Sequence, residues 1–251
     1  DTNGTPYVGG AFFSDGYGPE FGYLARWDGA NWTNIYKAGA PARLGFGNTV
    51  YASATGPDGM MYFGGMFTNA VTPTGSVAMS SVARWDGSEL HAMGAGFNSA
   101  VYSLAVDTNG TLYAGGSFTA SGSQSINRVA KWDGANWTNV GVGTVGIVYS
   151  IAFDEAGNVY VGGSFSQLSD SAPMNRISMW NGATWTNLGV GADNDVRSIA
   201  KKTNSTMIVG GNFVSAGGVA TNRIGLVGTG LIPGTGVHPS SGSWTGGYSV
   251  V

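Results

Sequence analysis

A pair of glycines behind an aromatic-rich run recurs five times in this chain: YVGGAF at Tyr7, YFGGMF at Tyr62, YAGGSF at Tyr113, YVGGSF at Tyr160 and IVGGNF at Ile208. The first glycine of each pair is Gly9, Gly64, Gly115, Gly162 and Gly210, so the steps are 55, 51, 47 and 48 residues. A chain that returns to one pattern at this interval builds one structural unit several times, and the interval is that of propeller blades.

The stretch from Val148 to Gly191 contains one complete unit. VYSIAFD is alternating and β-branched and reads as a strand; EAGN is a turn; VYVGGSF is a second strand. After the polar loop SQLSDSAPMN come a third strand, RISMW, a tight NGA turn and a fourth strand, TWTNLGVG. Asn3-Gly4, Asp58-Gly59 and Asn109-Gly110 sit between first and second strands. Asp28-Gly29, Asp86-Gly87, Asp133-Gly134 and Asn181-Gly182 sit between third and fourth. These dipeptides tolerate the positive φ that two-residue hairpin turns require, so the aspartates read as turn formers. No helical period persists anywhere. The expectation is an all-β fold, a five-bladed β-propeller of four-stranded antiparallel blades, forming a single domain over residues 1–251.

Glycine pair, then aromatic–Asp, then Trp resembles the kelch repeat of galactose-oxidase-like propellers, over nearly the whole chain. Two features depart from kelch: Trp replaces the usual Tyr before Asp, and the WDGxxW turn is tighter. The pattern is more similar to the GG-F…WDG-W repeats of large secreted and cell-surface proteins, including Rax2-like ones. That resemblance implies an extracellular or cell-surface location rather than a particular chemistry.

Composition excludes several classes. With a net charge of −3 and no basic stripe, nucleic acid is not an expected partner. No apolar run reaches membrane-spanning length, so membrane insertion is not expected. The chain has no Cys, hence no disulfide and no thiolate metal site. It opens on a turn-like DTNGT, which fits a mature, processed chain. Only 10% of residues are charged, a surface compatible with self-association or with a glycan coat.

The two ends are distinctive. DTNGTPYVGG at Asp1 matches DTNGTLYAGG at Asp107, but the strand VYSLAV precedes only the second copy, so blade one lacks its own first strand. Tyr248-Ser249-Val250-Val251 resembles Tyr102-Ser103-Leu104-Ala105, and on that alignment the C-terminus supplies the missing strand. Trp244-Thr245 instead matches Trp32-Thr33, Trp137-Thr138 and Trp185-Thr186, which makes WTGGYSVV the last strand of blade five. An unpaired edge then attracts a strand from another molecule, and head-to-tail donation builds a filament. Residues 244–251 thus close the ring or pair with a neighbour, with Trp244, Tyr248, Val250 and Val251 as candidate assembly residues. The Pro/Gly-rich segment 231–243 reads as an irregular insert.

Enzymatic chemistry is thinly represented. His91 stands where other blades carry the second Trp, His238 lies in the insert, and neither has metal-ligand spacing. The acidic residues fall mostly in hairpin turns, and the first strands VYSLAV, VYSIAF and VRSIAK carry none. The GADND run at Gly191–Asp195 lacks a calcium-loop spacing. The expectation is therefore no enzymatic activity, no cofactor and no metal. Trp32, Trp137 and Trp185 recur in register and are candidate sugar-stacking platforms, as in five-bladed lectins of the tachylectin type, although large aromatics repeated with the fold more often pack cores. Asn3, Asn31, Asn109, Asn136 and Asn204 head Asn-X-Ser/Thr sequons and are candidate glycosylation sites. Three readings follow, in order: an extracellular structural or adhesive subunit that self-associates, a carbohydrate-binding lectin-like module, and a glycoside hydrolase.

Overall fold

A computed structural model describes residues 1–12, 22–36, 43–72, 75–203 and 206–228, which hold 26 strands and no helix. The chain divides into two compact units, Asp1–Asn139 and Val140–Val251. The candidate assembly residues Trp244, Tyr248, Val250 and Val251, the insert 231–243 and the sequon residue Asn204 lie outside the described residues.

In the first unit, β1 (Tyr7–Gly9), β2 (Leu24–Trp27) and β3 (Trp32–Thr33) form a three-stranded sheet in that order. An accessory sheet has the order β4 (Ile35–Tyr36), β5 (Arg43–Phe46), β8 (Asn69–Thr72), β9 (Gly75–Ala78). Two four-stranded sheets carry the repeat in full. One runs β6 (Val50–Thr55), β7 (Met61–Gly65), β10 (Val82–Trp85), β11 (Leu90–Ala92). The other runs β12 (Val101–Val106), β13 (Leu112–Gly116), β16 (Val129–Trp132), β17 (Trp137–Asn139), with the small hairpin of β14 (Ala120–Ser121) and β15 (Gln124–Ser125) between its second and third strands.

In the second unit, β18 (Val148–Phe153), β19 (Val159–Gly163), β20 (Ile177–Trp180) and β21 (Trp185–Asn187) make a third four-stranded sheet. These are the four strands read from the Val148–Gly191 segment, in the order expected. The sheet β22 (Val196–Thr203), β23 (Thr206–Gly211), β26 (Ile224–Gly228) has three described strands and carries the hairpin of β24 (Ser215–Ala216) and β25 (Val219–Ala220). Every pairing is antiparallel, as hairpin connections require.

The glycine pair has two separate jobs. A Cβ on its first member would meet the valine that opens the next sheet's first strand: Gly9 against Val50, Gly64 against Val101, Gly162 against Val196. A Cβ on its second member would collide with a backbone carbonyl: Gly65 with Thr49, Gly116 with Ala100, Gly163 with Ile147, Gly211 with Asp195. That carbonyl accepts the N–H of the residue after the pair, at 3.0 Å from Met66, 2.9 Å from Ser117 and Ser164 and 2.8 Å from Asn212. The Phe that follows is then driven inward, and Phe67, Phe118, Phe165 and Phe213 are all fully buried.

A third device was not legible from residue types. The residue before each third strand is left-handed: Tyr23, Ser81, Arg128, Arg176 and Arg223 have φ of 64°, 64°, 65°, 63° and 77°. Its carbonyl accepts the N–H of the pair's second glycine, as Arg128 does from Gly116 at 3.1 Å and Arg176 from Gly163 at 2.9 Å. The hydrogen bond and the packing around it hold a conformation that costs a non-glycine residue about 1 kcal/mol or more.

Close approach at Gly116 predicts that Gly116→Ala costs about 3 kcal/mol, the upper range for overpacking a fixed site. Gly134→Ala, at a turn with φ of +103° and open space around it, is expected to cost about 1–2 kcal/mol from backbone strain alone. Urea denaturation of the two variants measures both, and equal losses would contradict the steric assignment.

Candidate ligand-binding site

The repeated WDGxxWTN segment is consumed almost entirely by structure. Its two Trp residues lie directly opposite each other across the third and fourth strands, with ring centroids 5.5 Å apart for Trp27–Trp32, 5.3 Å for Trp132–Trp137 and 5.5 Å for Trp180–Trp185. The Asp or Asn between them caps the turn with Oδ1, which accepts two backbone N–H groups in each copy: Ala30 and Asn31 on Asp28, Ser88 and Glu89 on Asp86, Ala135 and Asn136 on Asp133, Ala183 and Thr184 on Asn181. The Thr hydroxyl donates to the opposite strand, from Thr138 to Lys131 O and from Thr186 to Met179 O. The final Asn clamps the loop before the third strand: Asn139 accepts from Asn127 N at 2.8 Å and donates to Ser125 O at 2.8 Å. Asn187 repeats this with Asn175 and Pro173.

The three candidate stacking residues are placed differently. Trp137 is 3% exposed and donates its Nε1–H to Met93 O; Trp185 is 9% exposed and donates to Val140 O, both at 3.2 Å. Indoles buried in this way present no open face to a sugar. Trp32 is 42% exposed and retains one. In the β6–β11 sheet the residue opposite Trp85 is Leu90, buried at 6%, so it is Leu90 and not His91 that replaces the second Trp. His91 lies one residue further on and holds the Asp86 carboxylate at 2.6 Å. Asp193, in the GADND run, spends Oδ1 on the N–H groups of Val214 and Ser215. Of the candidate glycosylation residues, Asn3, Asn31, Asn109 and Asn136 are exposed in hairpin turns.

What sequence reading missed is a bulge at one place in four first strands. Pairing shifts by one residue between Val50 and Ala52, Val101 and Ser103, Val148 and Ser150, and Val196 and Ser198. The extra residues are Tyr51, Tyr102, Tyr149 and Arg197. A bulge takes one residue out of the pleat and re-aims its side chain, and bulges concentrate beside functional sites. In the first unit Tyr51 and Tyr102 meet at 5.2 Å with their planes tilted by 40°, and Tyr51 is 44% exposed. In the second unit the Arg197 guanidinium lies 4.0 Å over the Tyr149 ring and binds Asp195 at 2.9 Å. Beside this bulge the Ser150 hydroxyl accepts the Ile199 N–H at 3.0 Å, joining β18 to β22. The signal in sequence was VYA, VYS, VYS and VRS, visible as a repeat but silent about register.

No family model and no curated protein matches the chain. Among solved structures it is similar to U3-55K, at 15% identity and a TM-score of 0.52, over 82% of this chain and 54% of that one. It is similar to the extracellular domain of a hybrid two component system from B. thetaiotaomicron, at 11% identity and 0.55, over 91% and 27%. It is also similar to the GH74 enzyme of Niastella koreensis, at 18% identity and 0.50, over 88% and 36%. The chain thus spans little more than half the length of the first and less of the others. What is shared at these identities is the β-propeller type of fold. The kelch and Rax2-like resemblance rests on motifs alone. The expectation of no enzymatic activity is corrected here: an enzyme is built on this fold, so a sparse set of histidines and carboxylates does not exclude catalysis. No helix among the described residues is long and apolar enough to cross a membrane.

Two predictions follow from the repeat's polar contacts. Trp137→Phe and Trp185→Phe each shrink a buried ring and remove one hydrogen bond to a carbonyl that keeps a second donor, the N–H of Gly96 on Met93 O and of Gly143 on Val140 O, and should cost about 1–3 kcal/mol, whereas Trp32→Phe should stay within about 0.5 kcal/mol; thermal or urea unfolding distinguishes them. Backbone N–H donors also hold the carboxyls of Asp28, Asp133 and Asp193 below their ordinary value of 3.8. A depressed folded pKa contributes stability that is present above the unfolded value and lost as pH falls through the folded one. Unfolding midpoints should therefore drop below about pH 4, and the Asp28→Asn/Asp133→Asn/Asp193→Asn triple variant should drop less.

Proposed function

We propose that the chain is an extracellular or cell-surface five-bladed propeller that binds carbohydrate on the tyrosines of its first-strand bulges. The observation that carries this reading is the Tyr51–Tyr102 pair. Two phenol rings are offered by bulges on adjacent first strands, and one of them is 44% exposed. Aromatic rings stack on the C–H faces of sugars, and a phenol hydroxyl can both donate and accept a hydrogen bond. Unlike the paired Trp residues, this position varies in chemistry between copies, since Arg197 occupies it in β22.

The exposed sequon turns support an outward-facing surface in contact with glycans. The fold likeness to an extracellular domain is compatible with that location.

A glycan array followed by calorimetry tests the reading. Binding to a defined oligosaccharide is expected, with Tyr51→Ala and Tyr102→Ala each weakening it about tenfold, the worth of about 1.4 kcal/mol, and leaving the unfolding midpoint nearly unchanged. A release assay on the same oligosaccharides shows whether binding is accompanied by hydrolysis. Binding that survives both substitutions would place the site elsewhere.

A further inference from the structure

A short loop follows the fourth strand of three sheets: MGAG at Met93, VGVG at Val140 and LGVG at Leu188. In each, the carbonyl of the first residue accepts the N–H of the last glycine, at 3.1, 3.2 and 3.1 Å. A carbonyl oxygen has two lone pairs. In the first two loops the other one takes an indole N–H, from Trp137 at Met93 and from Trp185 at Val140. The second residue of the loop lies against the same aromatic pairs. A Cβ on Gly94 would meet Trp132 at 3.2 Å, and one on Gly141 would meet Trp180 at 2.6 Å and Trp185 at 2.7 Å. The third loop keeps the pattern but holds no indole among the described residues. There Leu188 O takes the N–H of Gly191 alone. A Cβ on Gly189 would come within 4 Å of one described atom, the Gly217 Cα at 3.9 Å. Val190 beside it is 61% exposed, more than any other large hydrophobic side chain among the described residues.

We infer that this loop is the receptor for the indole of Trp244, carried by a fourth strand that the same chain adds to the β22–β23–β26 sheet. Gly162 pairs with Ile177 and Val159 with Trp180 across β19 and β20. Gly210 pairs with Ile224 and Met207 with Val227 across β23 and β26 in the same register. Val227 thus stands where Trp180 does, and opposite Trp180 on the outer strand is Trp185. A strand laid beside β26 therefore brings its opposing residue to Leu188 O. Of the eight Trp residues seven lie in described strands, which leaves Trp244, and Thr245 follows it as Thr186 follows Trp185. Trp244 itself lies outside the described residues. Fifteen residues, 229–243, separate it from β26, enough for a hairpin return. So short a tether gives an effective concentration of about millimolar, which favours the chain's own Trp over that of a second copy. A buried indole needs a partner for its N–H, and Leu188 O offers one. The inference does not rest on the tyrosine pair.

The test is NMR on the full chain, with the Trp244 indole signal assigned by its loss in Trp244→Phe. Nuclear Overhauser contacts are expected between the Trp244 ring and the Gly189 α-protons, with the Trp180–Gly141 contact as internal standard. The Trp244 Nε1–H should exchange with solvent at least about tenfold more slowly than that of the exposed Trp32. Gly189→Leu, which fills the slot, should bring Trp244 to the Trp32 rate while Trp137 and Trp185 stay protected. Gly182→Leu, also at positive φ but with open space around it, should leave all three protected. A mixture of labelled and unlabelled copies should show no contact between molecules. The inference is overturned if Trp244 exchanges as fast as Trp32, if Gly189→Leu leaves it protected, or if the contacts in the mixed sample run between copies.

Discussion

The contact on which the rest of each unit depends is the approach of a strand to the glycine pair. On one side the pair admits the valine of the next sheet's first strand, at Gly9 by Val50, Gly64 by Val101 and Gly162 by Val196. On the other it admits a carbonyl where any Cβ would collide. A close-packed interior tolerates almost no added volume at such a place, so both glycines are required for physical reasons that have nothing to do with flexibility. The same contact explains why a fully buried Phe follows two residues later, since the carbonyl bond turns the chain inward.

The WDGxxWTN segment solves a different problem, which is to close the turn and the loop at the end of a sheet with side-chain hydrogen bonds. Its Asp closes the turn, its Thr and Asn close the loops, and the buried indoles of Trp137 and Trp185 donate to carbonyls 44 and 45 residues earlier in the chain. With polar needs met this way, little charge is required, and 10% suffices. Positions that escape both devices are where chemistry can vary. The bulge residue is Tyr in three strands and Arg in the fourth.

Much of this was legible in the sequence because a repeat is its own control. Four copies of a turn dipeptide and five of a glycine pair identify strands and hairpins even where one copy is ambiguous. Legibility failed where identity and geometry part company. His91 looked like the substitute for Trp because it is the conspicuous residue in SELHAM, yet register puts Leu90 opposite Trp85. Trp137 and Trp185 looked as available as Trp32, and only packing hides them. The left-handed residue before each third strand is Tyr, Ser or Arg, so no composition rule points to it. The scarcity of histidines and paired carboxylates suggested an absence of catalysis, but a likeness of fold to an enzyme shows how little that scarcity decides.

By itself the sequence determined the class, the spacing and the turns: β-branched alternation sets strands, Asn-Gly and Asp-Gly set hairpins, and a 47–55-residue period sets the repeated unit. Tertiary structure alone decided which copy of a repeated residue is buried and which is open. It also decided that a one-residue shift in pairing lifts Tyr51, Tyr102, Tyr149 and Arg197 out of the pleat. The reason is that register and burial are properties of neighbours. A side chain's face depends on the strand laid beside it, and that strand is supplied by residues far away in the chain.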